Sequence, residues 1–131
     1  MSILAEISVG EFLDKLTILQ IKRERISDPL KLSNVNEELK RLLLIWEGAK
    51  HSKNEINEEI EELRAINEKL WDIEDNIREK EENKTFDDAF VQMARSVYIT
   101  NDKRAEIKRR INQKLGSQLT EEKSYSNYTE A

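Results

Sequence analysis

Cysteine is absent from this chain of 131 residues. Its absence excludes disulfides and cysteine-based zinc sites, and it fits a reducing compartment. Histidine occurs once, at His51, which excludes a multi-histidine metal centre. A carboxylate-only site would have to take a hard cation. One proline and three glycines leave few breakers, which favours long helices over a sheet. No apolar run approaches the ~20 residues of a membrane span. The opening residues lack a basic stretch and carry Glu6 and Glu11, so no secretory signal is expected. The expected compartment is the cytoplasm, with no membrane partner.

Charged and hydrophobic residues each make up 37% of the chain. The charged share exceeds the ~25% of ordinary globular domains. Because the apolar residues are periodic, this charge reads as solvated helix faces and not as disorder. The net charge of −5 argues against nucleic acid as a partner of the surface at large.

A capping box, "SVGE", opens the first helix at Ser8, with Glu11 placed to reach back. Phe12, Leu13, Leu16, Ile18, Leu19, Ile21 and Ile26 give it a wide apolar face, and "SDP" at 27–29 stops it. A second helix is expected from Asn34 to Lys50, with Val35, Leu39, Leu42, Leu43 and Trp46 inward. A third starts near Ser52 in "SKNE" and runs to Glu82. Its seam is Ile56, Ile60, Leu63, Asn67, Leu70, Glu74 and Ile77, alternating steps of four and three in a heptad pattern. The second seam extends into the third through Ala49 and Lys53, so one long helix or two separate ones are both open.

"NKT" at 83–85 turns the chain, with Thr85 and Asp88 as the expected cap. The fourth helix then runs to Leu115, with Phe86, Phe90, Met93, Val97, Ile107 and Ile111 inward and Gly116 as its left-handed terminator. The predicted fold is all-α: an elongated antiparallel hairpin bundle of three to four helices in one domain, 1–116. Residues 117–131 read as a polar, loosely ordered tail, with Leu119 and Tyr125 as the residues able to dock.

Charge supports the antiparallel pairing. Residues 52–82 hold twelve acids and five bases, whereas 95–115 hold seven bases and two acids. Folding about Lys84 places Glu58 near Arg110, Glu62 near Glu106 and Lys108, and Asn67 near Asn101. The first two helices, each about 25 Å long, cannot cover a hairpin of about 45 Å. The leftover seam predicts a homodimer or larger homo-oligomer, with a protein partner as the other occupant.

Three patterns suggest chemistry. "KRRINQK" at 108–114 is basic, yet no aromatic interleaves with it and an acidic helix lies opposite. Glu58, Glu59 and Glu62 in "EEIEEL" match the magnesium motif of all-helical nucleotide pyrophosphohydrolases, but no second acidic motif faces it in register. "ELRAINEKLWDIEDNI" is similar to the opening helix of helical chorismate mutases, but Arg64 lacks its later partner because position 81 is Glu81. No metal ligands, cofactor or catalytic residues are assigned, and a non-enzymatic role leads, with an enzyme kept open as part of the alternative below.

The strongest lead is an interruption. The fourth helix breaks its buried stripe with Thr100, Asn101 and Arg104. Antiparallel pairing sets Asn67, Trp71 and Glu74 against Arg95, Tyr98, Asn101 and Arg104, and Arg23 lies one step along the first helix's seam. One reading is a register pin, a polar layer admitting a single alignment. The other is a pocket in which arginines and aromatics meet an anionic or sugar-like ligand. The first makes the protein a self-associating scaffold. The second makes it a binding protein or enzyme for an anionic nucleotide or sugar phosphate.

"SVGEFLDKLTILQIKRERI", "LWDIEDNIREKE", "FVQMARSVYITNDKRAEIKRRIN" and "EEKSY" together resemble a family of small all-helical bacterial and phage proteins of unknown function. The resemblance spans Ser8 to Tyr125. It implies an all-helical fold and brings no activity. Members sit at times beside glycosyltransferase genes of surface-polysaccharide clusters, which implies an accessory part in glycan assembly. The motif residues carried over are Gly10, Asp14, Lys15, Ile18, Lys22, Arg25, Trp71, Glu74, Arg78, Arg95, Tyr98, Asn101, Asp102, Arg104, Ala105, Lys108, Arg109 and Asn112.

Overall fold

A computed structural model of the chain describes residues 1–50, 55–117, 119 and 122. Its four helices are α1 (Val9–Arg25), α2 (Pro29–Glu47), α3 (Asn57–Glu82) and α4 (Asp88–Leu115). The fold is an all-α bundle. The expected cap at Ser52, the seam residue Lys53, His51, Tyr125 and most of the tail lie outside the described residues.

Local chemistry sets the helix ends. Ser8 Oγ accepts the Glu11 N–H at 3.1 Å and opens α1. The other half of the expected capping box is replaced, because the Glu11 carboxylate accepts from Lys108 at 2.7 Å. Pro29 does more than stop α1. It occupies the first turn of α2, with Asp28 Oδ1 capping Leu30 N at 3.2 Å, so α2 starts five residues before the expected Asn34. Proline's fixed φ suits a helix start, and its missing N–H would be unpaired there anyway. α2 ends at Glu47 with Gly48 as its cap, so α2 and α3 are separate helices.

The turn from α3 to α4 corrects a second expectation. Asp87, not Thr85, caps α4, accepting from Phe90 N at 2.9 Å. Thr85 N–H instead donates to Lys80 O at 2.9 Å and Lys84 N–H to Glu81 O at 3.1 Å, with Lys84 at φ 55°. These crossed bonds close α3 in a Schellman motif. α4 ends the same way, with Gly116 at φ 63° and Ser117 N–H donating to Asn112 O at 2.9 Å.

α3 and α4 form the antiparallel hairpin. Arg110 pairs with Glu62 and Lys114 with Glu59. The expected register about Lys84 is therefore displaced by about one helical turn. The connection 83–87 is asymmetric, and the fold point lies beyond Lys84. These pairs also dispose of the magnesium motif, since Glu59 and Glu62 are spent on basic partners across the hairpin. Arg64 likewise pairs with Glu24 and, at 3.1 Å, with Glu68.

α1 contacts all three other helices. Leu13, Leu16 and Leu19 enter one core with Val35, Leu39 and Trp46 of α2, Leu63 of α3, and Ile107 and Ile111 of α4. Phe12 stacks on Trp46 at 6.0 Å. Burying each aliphatic side chain contributes about 1.5–3 kcal/mol. The core ends abruptly: between Leu70 and Thr100 no residue is buried. Beyond the pair of Arg25 on α1 with Asp72 on α3, the hairpin continues as a two-helix arm.

Lys114 holds the buried Glu59 carboxyl below its ordinary value of 4.5. The ionised form makes the pair, so the pair stabilises the fold above that value. Its contribution is lost as pH falls through the lowered one. Lys114→Met should therefore destabilise the protein at neutral pH, with the difference from wild type shrinking below pH 4.5. Urea melts along a pH series test this; a difference independent of pH would refute it.

Candidate functional site

α1 lies so close to α4 that a Cβ on Gly10 would sit 2.6 Å from the backbone oxygen of Lys108. Gly10 N–H donates to Asn112 Oδ1 at 2.7 Å across this contact. One turn on, Asp14 is buried, and Oδ2 lies 3.8 Å from the equally buried Lys108 Nζ. A buried charge without a partner is very costly, so these two hold each other as well as α1 to α4.

From Asp14 the network passes to the polar layer. Asn67 Nδ2 donates to Asp14 Oδ1 at 2.9 Å and to Thr17 Oγ1 at 3.0 Å. Thr17 donates in turn to the Asp14 backbone oxygen at 2.8 Å. Asn67 Oδ1 accepts from Arg104 Nη1 at 3.3 Å. Both ends of a buried amide are thereby satisfied, as burial demands. The interruption in α4 resolves into distinct roles. Thr100 is 1% exposed and stays on the buried stripe, while Asn101 and Arg104 are half-buried beside Asn67.

Above this layer opens a cleft of about 520 Å³. Asn67, Leu70, Trp71, Glu74, Asp75 and Arg78 of α3, Asn101 and Arg104 of α4, and Ile18 of α1 line it. The volume falls within the ~300–1,000 Å³ of small-molecule sites. Its chemistry is mixed. Arg104 and Arg78 supply positive charge, Glu74 and Asp75 carboxylates, Trp71 a ring face, and Asn101 an amide. Glu74 reaches Arg78 at 3.5 Å, one turn along the same helix. Arg104 is the anchored member, tied at one nitrogen to an asparagine that α1 itself holds in place.

Five of the residues singled out by spacing share this cleft: Asn67, Trp71, Glu74, Asn101 and Arg104. Three do not line it. Arg23 is exposed on α1, Arg95 is exposed with Nη1 3.3 Å from Gln92, and Tyr98 is 46% exposed on the arm. Heptad counting placed them inward by extending one seam past the end of the core. Of the four other lining residues, spacing marks Ile18 and Leu70 only as apolar and misses Asp75 and Arg78. Asp75 and Arg78 stand four and seven residues after Trp71, one helical face, so the signal was present without a facing seam to mark it. Asp14 follows from the resemblance alone, and Lys108 otherwise only as part of the basic stretch 108–114, because buried charge leaves no mark on an apolar stripe.

A second, smaller cleft of about 280 Å³ lies between α1 and α2, lined by Glu11, Asp14, Lys15, Ile18, Leu19, Lys22 and Glu38. Lys15 and Glu38 pair across it at 3.0 Å. Among the described residues no group of three or more histidines, cysteines and carboxylates is arranged to hold a metal ion. No described helix is long and apolar enough to cross a membrane.

No curated protein and no solved structure matches the chain significantly. A family model does match, over residues 3–130, and the chain therefore belongs to the family of unknown function DUF6165.

Proposed function

We propose that the protein binds a small anionic ligand carrying a ring, such as a nucleotide or a sugar phosphate, in the cleft between α3 and α4. One observation carries this reading: Arg104 lines the cleft while Asn67, held by Asp14 and Thr17, accepts from its guanidinium. A guanidinium held this way meets a phosphate or carboxylate with little ordering cost, and its planar fork suits bidentate recognition. Trp71 offers a face for a base or sugar ring, and Glu74 and Asp75 offer acceptors for hydroxyls.

A thermal-shift screen of nucleotides, sugar nucleotides and sugar phosphates tests it. A ligand at a hundred times its Kd adds about 2.7 kcal/mol of stability. The expected result is stabilisation by one such class, lost in Arg104→Leu and weakened in Trp71→Ala. Stabilisation by none, or by the same compounds in Arg104→Leu, would overturn the proposal.

A second reading has its own observation. All polar atoms of the Asn67 side chain are used inside the fold, as a register pin requires. In that case the layer only aligns the hairpin, and the protein serves as a self-associating scaffold. The double variant Asn101→Leu, Arg104→Leu would then keep or raise stability, with no ligand effect to lose.

A further inference from the structure

The cleft between α3 and α4 is electrically polar along its length. Four charged side chains line it: Arg104 of α4, and Glu74, Asp75 and Arg78 of α3. Arg78 meets Glu74 at 3.5 Å across one turn of the same helix, so these two largely offset each other. One cation and one anion are left. Among the described residues Arg104 bonds to the Asn67 amide and pairs with no carboxylate, and Asp75 pairs with no base. Asn67, Trp71 and Asp75 follow one another at steps of four along α3, on one face of the helix. Asp75 thus lies about 12 Å along the axis from Asn67, with Trp71 midway. The cleft runs from an anchored guanidinium, past an indole, to carboxylates.

This order limits what the cleft takes. One guanidinium fork suits one phosphate, which it binds bidentately. A phosphate at the Arg104 end sits about a Debye length from Asp75, ~10 Å at 0.1 M salt, and is screened from it. A second or third phosphate in the row finds no unpaired lining cation and lies toward two carboxylates. Juxtaposed like charges act against such a ligand and spare one with a single phosphate. A ring resting on Trp71 presents its far side to Glu74 and Asp75. Ionised carboxylates only accept hydrogen bonds, so that side must donate. Sugar hydroxyls all donate. A nucleobase edge mixes donors with acceptors, and its acceptors have nothing to meet there.

Resting on the reading of this cleft as a ligand site, we propose that its ligand is a sugar bearing one phosphate. Arg104 holds the phosphate, and Glu74 and Asp75 accept from the hydroxyls. The same two carboxylates turn away nucleoside triphosphates and nucleotide-activated sugars.

Titration calorimetry on the full chain tests it. The 1- and 6-phosphates of glucose, galactose and mannose are set against the free sugars, inorganic phosphate, AMP, UDP-glucose, and ATP with and without magnesium. At least one hexose phosphate should bind about tenfold or more tightly than every comparison compound. Arg104→Leu should abolish that binding. The double variant Glu74→Gln, Asp75→Asn keeps acceptors, removes both charges and frees Arg78. It should therefore raise the affinity for UDP-glucose and ATP, relative to the hexose phosphate, by about tenfold or more. Both positions are exposed, so circular dichroism of the double variant should match wild type. UDP-glucose, ATP or AMP binding more tightly than every hexose phosphate, with loss in Arg104→Leu, would overturn the single-phosphate sugar and leave the cleft reading standing. Discrimination unchanged in the double variant would overturn the role of the carboxylates. Binding by none of these compounds, or binding kept in Arg104→Leu, would overturn this proposal and the cleft reading together.

Discussion

Gly10→Ala should cost about 3 kcal/mol of stability, the upper end of what one added methyl does in a packed interior. The new Cβ would lie 2.6 Å from the Lys108 carbonyl oxygen and 3.0 Å from Asn112 Oδ1. The first neighbour is backbone in the middle of α4 and cannot swing aside. α1 would have to withdraw, lengthening the 2.7 Å bond from Gly10 N–H to Asn112 and loosening the Asp14–Lys108 pair one turn on. Because α1 joins α2 to the hairpin, the loss should appear as a lower urea midpoint for the whole domain. A larger residue such as valine should prevent folding. If Gly10→Ala melts within about 0.5 kcal/mol of wild type, the range of ordinary surface changes, the close approach of α1 to α4 is wrong.

Lys108→Met should cost about 3 kcal/mol by a different route. It leaves the Asp14 carboxylate buried with the Asn67 amide as its remaining side-chain partner, and an ion pair broken from one side destabilises by about 3–5 kcal/mol. Adding Asp14→Asn removes the stranded charge while keeping an acceptor for Asn67. The double variant should therefore recover most of the loss, giving a strongly non-additive cycle. Asp14→Asn alone should cost less, because Lys108 keeps Glu11 at 2.7 Å. Additive effects would mean the pair is not coupled. Both variants should also loosen Arg104, since Asp14 holds the asparagine that holds it. Ligand stabilisation should therefore weaken in each, even where the protein remains folded.

Much of the fold was legible because periodicity and caps are local. The heptad steps from Ile56 to Leu70 mark the buried face of α3, and "SVGE" and Gly116 mark ends that the structure places at the same residues. The opposed charge of 52–82 and 95–115 identified the antiparallel pairing. The register was misjudged by a turn because it depends on the five residues between α3 and α4, where Asp87 outcompeted Thr85 as the cap. Pro29 marks a stop in the sequence, and the same ring also favours a helix start.

Part of the cleft was legible for the same reason. Asn67, Asn101 and Arg104 interrupt a stripe, and interruptions can be counted. Arg23, Arg95 and Tyr98 followed from that counting too, but the seam they extend runs past the end of the core. Where burial stops depends on how far α1 and α2 reach along the hairpin.

The sequence by itself determined the helices, most of their ends and the antiparallel pairing, since each follows from residues within a turn or two and from net charge along a segment. Only the tertiary structure decided that α1 crosses α4 at Gly10, that Asp14 and Lys108 share a buried contact, and that Asn67 passes this anchoring on to Arg104. Those relations join residues from 37 to 102 positions apart. They depend on the angle and depth at which one helix packs on another, which no periodicity encodes.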